Sequence, residues 1–485
     1  MQKHLKIFAL LALLTTTGCK KFLEQPPDNR AVLNTPDQVS RLLATAYPGA
    51  SYVVFAELSS DNVIDRGGGS TENEYVDPFT YSDVRSDQQD SPEFYWNACY
   101  TAIAAANEAL SVCEKAPNPS AYMAQKGEAL LCRAYAHFML VTFFAEIYDP
   151  ATAATKPGVP YVTEPEKEVV KQYDRKTVAY VYEMIEKDLL AGLPLIDEKS
   201  YIVPRYHFNK AAANAFAARF YLFKKDYAKV VQHANAVFSD GTVVDKLRPW
   251  NTRYLQFTAQ EMMVNYAKST EAANLLLCET ASWWARGIRG ARYGLNRNLF
   301  AYYYNFNVVG ADWSFLNQAY LGTSGTSSVF FPKVNEYFVR QSVNAEIGSG
   351  YVMVPLFTTE EVLFNRAEAN AYLNNTAGAL QDLNAYSSTH FDNYNPGTDA
   401  LTMPKIRNYY GNVSDRDGIV LTVLDFKQAE FMQEGMRWFD ILRYRIPVVH
   451  ETIDGKTYTL TANDPRRLFQ IPQSAGESGV PQNPR

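Results

Sequence analysis

Apolar positions recur along most of this chain at the three- and four-residue spacing of amphipathic helices. The clearest run is Trp96, Tyr100, Ile103, Asn107 and Leu110. It is preceded by Ser91-Pro92-Glu93, where Ser can cap a helix, Pro suits its first turn and Glu suits the positive end of its dipole. Pro117 and Pro119 stop that helix, and a second is predicted over residues 120–144 with Leu130, Ala134, Phe138 and Val141 on one face. Two such helices joined by a short turn make a helical hairpin. The unit recurs, with Val178, Val181, Ile185 and Leu189 before Gly192 and Pro194, and with helices predicted over residues 209–223, 227–238, 359–373 and 376–386.

Two of the hairpins share a finer pattern. Tyr221-Leu222 is followed six residues after Leu222 by Ala228, and Tyr372-Leu373 is followed at the same distance by Ala379. Small residues where helices cross, beside a large apolar one, resemble the tetratricopeptide repeat. The units are scattered along the sequence, so the pattern predicts a mostly α fold: tetratricopeptide-like hairpins forming a scaffold with long loop-rich insertions. The main insertion spans residues 241–358 and is rich in Gly, Asn, Ser and aromatics, and residues 67–90 also read as loop. Long irregular segments in a compact protein tend to carry function.

The chain opens with Lys3 and Lys6 ahead of the apolar run from Ile7 to Leu14, an export signal too short to span a bilayer, which takes roughly 20 apolar residues. Thr15, Thr16, Thr17 and Gly18 lead to Cys19. This looks like a bacterial lipobox, with Thr16 departing from the usual Leu, and makes Cys19 the expected site of lipid attachment. Residues 1–18 are then a lipoprotein signal peptide, 19–34 an extended tether containing Pro26-Pro27, and 35–485 a single helical domain carrying the insertion.

Composition narrows the function. With 485 residues, 47% apolar and 20% charged, the chain can bury a large core. A net charge of −6 argues against nucleic acid as a partner. Aromatics reach 14%, with 33 Tyr, leaving a surplus for surfaces that bind flat apolar faces. Cys99, Cys113, Cys132 and Cys278 do not form a disulfide framework. Cys99 and Cys113 share a predicted helix and sit about 21 Å apart on it, too far to pair.

Catalytic chemistry finds little support. Glu430, Glu434, Arg437, Asp440 and Arg443 offer charged side chains, but Glu434–Arg437, Arg437–Asp440 and Asp440–Arg443 are i,i+3 neighbours of opposite charge on one predicted helix. A general acid needs burial without such pairing. The six His are dispersed and His137 lies in an apolar helix, so no metal site and no cofactor are expected. Gly67-Gly68-Gly69-Ser70 lacks the Lys of a phosphate-binding loop, and Gly322-Thr323-Ser324-Gly325 is one residue short of a nucleophile elbow. Asp415-Arg416-Asp417-Gly418 reads as a turn, since Val413 and Leu424 stand where a calcium loop needs carboxylates.

Binding fits better. Sugar rings stack their C–H faces on aromatics while their hydroxyls seek polar side chains, and both kinds gather in two regions. The first holds Ser60, Asp61, Asn62, Asp65, Arg66, Tyr75 and Tyr81; the second holds Trp283, Trp284, Arg286, Tyr303, Asn305 and Trp313. For any one aromatic, burial under a long loop is the competing explanation. The regions taken together point to a ligand face.

Several motifs resemble one family. Lys21-Phe22-Leu23-Glu24 and the Trp96 helix resemble the start and first repeat helix of SusD/RagB proteins. Ala129-Leu130-Leu131-Cys132-Arg133-Ala134-Tyr135 resembles that family's ALRA-x-A helix, with Cys132 as a departure. The run from Glu361-Val362-Leu363 to Arg366-Ala367-Glu368-Ala369 resembles E-x-L-x-x-A-E-A, and Phe469-Gln470-Ile471-Pro472 with Gln482-Asn483-Pro484 resembles the ending. Most specific is the stretch Glu430 to Arg443, very close to E-x-x-x-E-G-x-R-W-x-D-L-x-R. The resemblance implies a lipid-anchored outer-membrane protein facing the cell exterior, which binds a glycan and delivers it to a SusC-like TonB-dependent transporter without catalysis. A peptide ligand, as in the RagB branch, is the alternative, and a surface glycoside hydrolase a more distant one. The family's ligand loops share no motif, so no contact residue transfers.

Overall fold

The computed structural model describes residues 33–168, 171–322 and 327–485. The expected signal peptide, Cys19 and nearly all of the tether lie outside the described residues, as does Ser324.

In chain order the elements are α1 Pro36–Leu43, α2 Val53–Leu58, β1 Ile64–Asp65, α3 Asn73–Phe79, α4 Pro92–Lys115, α5 Met123–Phe144, α6 Val178–Gly192, α7 Lys210–Lys224 and α8 Tyr227–Val237. The insertion contributes α9 Val243–Lys246, α10 Ala259–Tyr266, β2 Asn274–Ala281, α11 Trp284–Gly290, β3 Tyr293–Gly294, α12 Arg297–Tyr304, β4 Tyr320–Leu321, β5 Val329–Phe330, β6 Glu336–Arg340 and β7 Gly348–Thr358. The chain closes with α13 Thr359–Tyr372, α14 Thr376–His390, α15 Met403–Tyr410, α16 Asp415–Glu430, α17 Arg437–Tyr444, β8 Val448–Glu451 and β9 Thr457–Leu460. The protein is a mostly helical scaffold of hairpins, as the apolar spacing predicts.

Local signals act where the sequence places them. Ser91 caps α4 by accepting from the Phe94 N–H at 3.1 Å. The α5 and α6 helices cross at two glycines: a Cβ on Gly192 would lie 2.8 Å from the Gly127 carbonyl oxygen, so only hydrogen permits this approach. The α7/α8 and α13/α14 turns are built alike. Each has one left-handed residue, Lys225 (φ 63°) or Asn374 (φ 60°), followed by a capping side chain, Asp226 or Asn375. The equivalence of Ala228 and Ala379 does not survive, because the left-handed turn residue comes three positions after Leu222 in one hairpin and one position after Leu373 in the other. Val230 and Ala379 are the buried fourth residues after their caps. Although separated by the insertion, these hairpins are neighbours in space, with α8 packed on α13.

The insertion is more ordered than its composition suggests. It folds into short helices and a three-stranded antiparallel sheet in the order β2-β7-β6, and β7 runs directly into α13 through the cap Thr358. Strand β2 hides from pattern reading because Asn274 to Cys278 are all buried, with no alternation. Residues 67–90, read as loop, contain α3. Asp415-Arg416-Asp417-Gly418, read as a turn, is the first turn of α16, capped by Ser414. Cys99, Cys113, Cys132 and Cys278 are buried free thiols.

Candidate ligand-binding site

The fold joins the two regions singled out in the sequence. β1 pairs with β3, setting Ile64 opposite Gly294 and Asp65 opposite Tyr293. Arg292 grips Asp65 through Nε at 2.8 Å and Nη2 at 2.6 Å, and Tyr303 donates its hydroxyl to the Asp61 carbonyl at 2.8 Å. Asp90 accepts from the Ser282 hydroxyl at 2.6 Å and the Trp283 N–H at 2.7 Å. Burial pushes the Asp90 carboxyl up to about 7, against the pull of those two donors.

Of the thirteen residues named in the two regions, seven are buried and do not face solvent. Asn62 is fully buried, donating to Glu57 at 3.0 Å and accepting from Gln428 at 2.9 Å. Arg66 is buried against the carbonyls of Ile288 and Ala291. Tyr81 is buried, stacked on His450 and donating to the Ser59 carbonyl at 3.2 Å. Trp284 is buried with Nε1 donating to the Gln433 carbonyl at 2.9 Å. Trp313, 2% exposed, lies between Phe391 at 4.1 Å and Phe315 at 4.9 Å. A long insertion needs its own apolar floor, and these rings supply it. Tyr75 is half-buried against Gly287, where a Cβ would sit 2.8 Å from its hydroxyl.

Asp61, Trp283, Arg286, Tyr303 and Asn305 reach the surface, in two groups at opposite ends of the α11–β3–α12 segment. At the first, Asp61 receives both Nε and Nη2 of Arg437 at 2.8 Å, and Gln428 approaches at 3.4 Å. Burial opposes a charged guanidinium there, but Asp61 holds the Arg437 pKa above its ordinary value. Beside this group Tyr302 is 74% exposed and Phe306 78% exposed. Tyr409 and Tyr410 pack edge to face at 4.8 Å, and Tyr410 donates to Asp425 at 2.6 Å. At the other end Trp283 lies 6.2 Å from Phe338, with the Arg286 guanidinium 4.5 Å over the Trp283 ring and bonded through Nε to Glu336 at 2.7 Å. Beyond it Tyr320 and Phe330 stack at 5.5 Å.

Tyr302, Phe306, Phe338, Tyr409, Gln428 and Arg437 escape sequence reasoning. One signal was available: in the run Tyr302 to Phe306, a helical period puts residues 302 and 306 on the face opposite buried Tyr304. Arg437 and Tyr409 lie far from both regions in sequence, and no local pattern points to them.

The charged motif is structural, but its pairs differ from those its spacing suggests. The helix breaks after Glu430, with Gln433 (φ 69°) and Gly435 (φ 71°) left-handed, and restarts at Arg437. Glu434 therefore pairs with Lys333 at 2.7 Å and Arg437 with Asp61. Asp440 does pair with Arg443 at 2.7 Å, and also with Lys427 at 2.7 Å. His137 is a buried core residue, bonded at both ring nitrogens and driven by burial down to about 3.

Glu360, His390 and Glu430 bring one ligand atom each within 4.8 Å of one another, all buried. Sequence spacing could not show this trio. The Arg248 guanidinium lies 4.0 Å from the Glu360 carboxylate, which also accepts the Arg248 backbone N–H at 2.7 Å, and Lys333 bonds the Glu430 backbone carbonyl. Burial would raise the Glu430 pKa, but His390, then Lys333 and Arg248, hold it below its ordinary value.

Residues 21–222 match the SusD-like family described as starch-binding associating with outer membrane, and residues 334–475 match the SusD family. The chain belongs to the SusD/RagB family. A SusD superfamily protein from Bacteroides thetaiotaomicron VPI-5482 superposes with a TM-score of 0.68 at 18% identity, covering 93% of this chain and 100% of that one. A SusD-like carbohydrate binding protein from Bacteroides vulgatus ATCC 8482 gives 0.64 at 15% identity, with 92% and 96% covered. A laminarin binding SusD-like protein gives 0.63 at 16% identity, with 93% and 99% covered. At these identities the likeness is one of fold. No curated protein matches the sequence at a significant level. No helix among the described residues is long and apolar enough to cross a membrane.

Proposed function

We infer that the protein is a cell-surface lipoprotein that captures a glycan without catalysis and passes it to a SusC-like TonB-dependent transporter in the outer membrane, held there by lipid on Cys19. The observation that carries this reading is the pairing of exposed aromatic rings with fixed polar side chains where the two loop regions meet. Tyr302 and Phe306 stand beside the Asp61–Arg437 pair, and Trp283 and Phe338 beside Arg286. Rings of this kind suit the C–H faces of sugars, and the adjacent polar groups suit their hydroxyls. Modest affinity is sufficient, since a tethered receptor beside its transporter acts by effective concentration. Of the motif carboxylates, Glu434 and Asp440 are bound by Lys or Arg and Glu430 by His390 and Tyr386, which favours binding over hydrolysis.

Trp283 supplies the test, because it is half-buried while Trp96, Trp250, Trp284, Trp313 and Trp438 are buried. Titration with the cognate oligosaccharide is expected to change tryptophan emission in the native protein and not in Trp283→Phe. Binding of peptides but no glycan would transfer the reading to peptide uptake. Shortened saccharide products would replace it with hydrolysis.

A further inference from the structure

We propose that the glycan is anionic, carrying uronate carboxylates or sulfate esters, and that Arg289 and Arg297, near the Tyr320–Phe330 ring pair, read its charge. This rests on the glycan-binding reading and adds the substrate class.

The insertion concentrates positive charge in an acidic protein: Arg286, Arg289, Arg292 and Arg297 fall within twelve residues of a chain whose net charge is −6. Two of them are committed internally, Arg286 to Glu336 and Arg292 to Asp65. Arg289 is not. Its Nε reaches only the Ala285 carbonyl, at 3.3 Å, and its guanidinium lies 5.2 Å over the Phe330 ring. Exposed Arg297 makes no ion pair among the described residues, and neither does exposed Arg340 at the end of β6. Residues 323–326, Thr-Ser-Gly-Thr, carry no carboxylate that might meet them.

Elsewhere on the surface the rule is the opposite. Arg41, Arg85, Arg407, Arg416 and Arg485, outside the insertion, each hold an Asp or Glu, as does Arg253 early in it. Outside the insertion, among the described residues, exposed Arg445 makes no ion pair and is bonded to Asn463, and half-buried Arg205 makes none either.

The placement is that of a recognition surface. Tyr320 pairs with Phe330 across β4 and β5, and their rings stack at 5.5 Å with 26° between planes. Arg289 is laid on one of these rings. The Arg297 N–H donates to the Ser327 carbonyl at 3.2 Å, which ties the start of α12 to the strand leading into Phe330. A guanidinium stacked on a ring keeps its edge N–H groups free for two parallel bonds to a carboxylate or sulfate, while the adjacent ring offers an apolar face to the sugar. A neutral glycan would leave these cations without a counter-charge.

The test measures calorimetric binding of the full chain to three saccharides of similar length: an oligogalacturonate, a sulfated galactan fragment and a neutral β-glucan fragment. Native protein is expected to prefer one anionic probe, to lose affinity as salt rises, and to weaken about tenfold for each of Arg289→Gln and Arg297→Gln. The two acidic arms distinguish carboxylate from sulfate. Both residues are exposed, so the thermal midpoint should not move, and Trp283→Ala serves as the variant that reports on the stacking surface alone. Neutral-probe binding that Trp283→Ala reduces but the arginine variants do not would overturn the charge assignment and leave glycan binding standing. Failure of every saccharide to bind would overturn both.

Discussion

Arg437 and Asp61 meet as a two-bond ion pair, both bonds at 2.8 Å, across 376 residues of sequence. This contact fastens the most recognisable motif of the chain, near its C-terminus, to a loop near its N-terminus, and it stands beside the exposed rings of Tyr302 and Phe306. Asp61→Asn would leave Arg437 largely buried with its counter-charge gone. The expected cost is roughly 1–3 kcal/mol in urea denaturation, accompanied by weaker glycan binding. An unchanged denaturation midpoint would show the pair to be dispensable.

Asp90 links stability to pH beneath Trp283. Its carboxyl is pushed up to about 7 in the folded chain, from an ordinary value of 3.8. The folded state then keeps a proton that the unfolded chain releases. The associated stability is fully present below about pH 4 and lost as pH rises through 7. Glu57, buried and also pushed up to about 7, adds in the same direction. Chemical denaturation of native protein and Asp90→Asn across pH 4–8 should differ in slope by about one proton, amounting to a few kcal/mol over the range. Parallel curves would contradict this.

Trp313 and Trp283 should behave as opposites. Trp313→Ala opens a hole between Phe315 and Phe391 and is expected to cost about 3–5 kcal/mol, while Trp283→Ala should leave stability within about 1 kcal/mol and reduce affinity. Thermal denaturation and calorimetry on the two variants separate the roles. A Trp283→Ala protein as unstable as Trp313→Ala would place Trp283 in the core.

The contrast between these two tryptophans shows where sequence reading stops. Helices written in three- and four-residue spacing, such as the one opened by Ser91 and Pro92, were legible because cap, period and stop are all local. The polar and aromatic composition of the two loop regions was legible too, but not the β1–β3 pairing that joins them. Which aromatics face solvent was not, because Trp313 and Trp283 sit in similar polar and aromatic surroundings along the chain. Their fates are decided by what packs on them from afar, Phe391 in one case and Gly350 in the other. The Glu434–Arg437 pair fails for a related reason, since the left-handed Gln433 and Gly435 turn the chain before Arg437 can meet Glu434, while Asp440–Arg443, within one helix, forms as its spacing suggests.

The α5/α6 crossing gives a prediction independent of ligand. Gly192→Ala gains helix propensity but places its methyl 2.8 Å from the Gly127 carbonyl oxygen. The clash should win, lowering stability by about 1–3 kcal/mol. Stabilisation would mean that the helices separate easily.

The central claim is that exposed rings on the joined loop face hold a glycan. Calorimetric titration of the double variant Trp283→Ala, Tyr302→Ala tests it most directly, with the native protein's best oligosaccharide as ligand. Affinity should fall by at least about tenfold at an unchanged thermal midpoint. Undiminished binding by a folded double variant would contradict it.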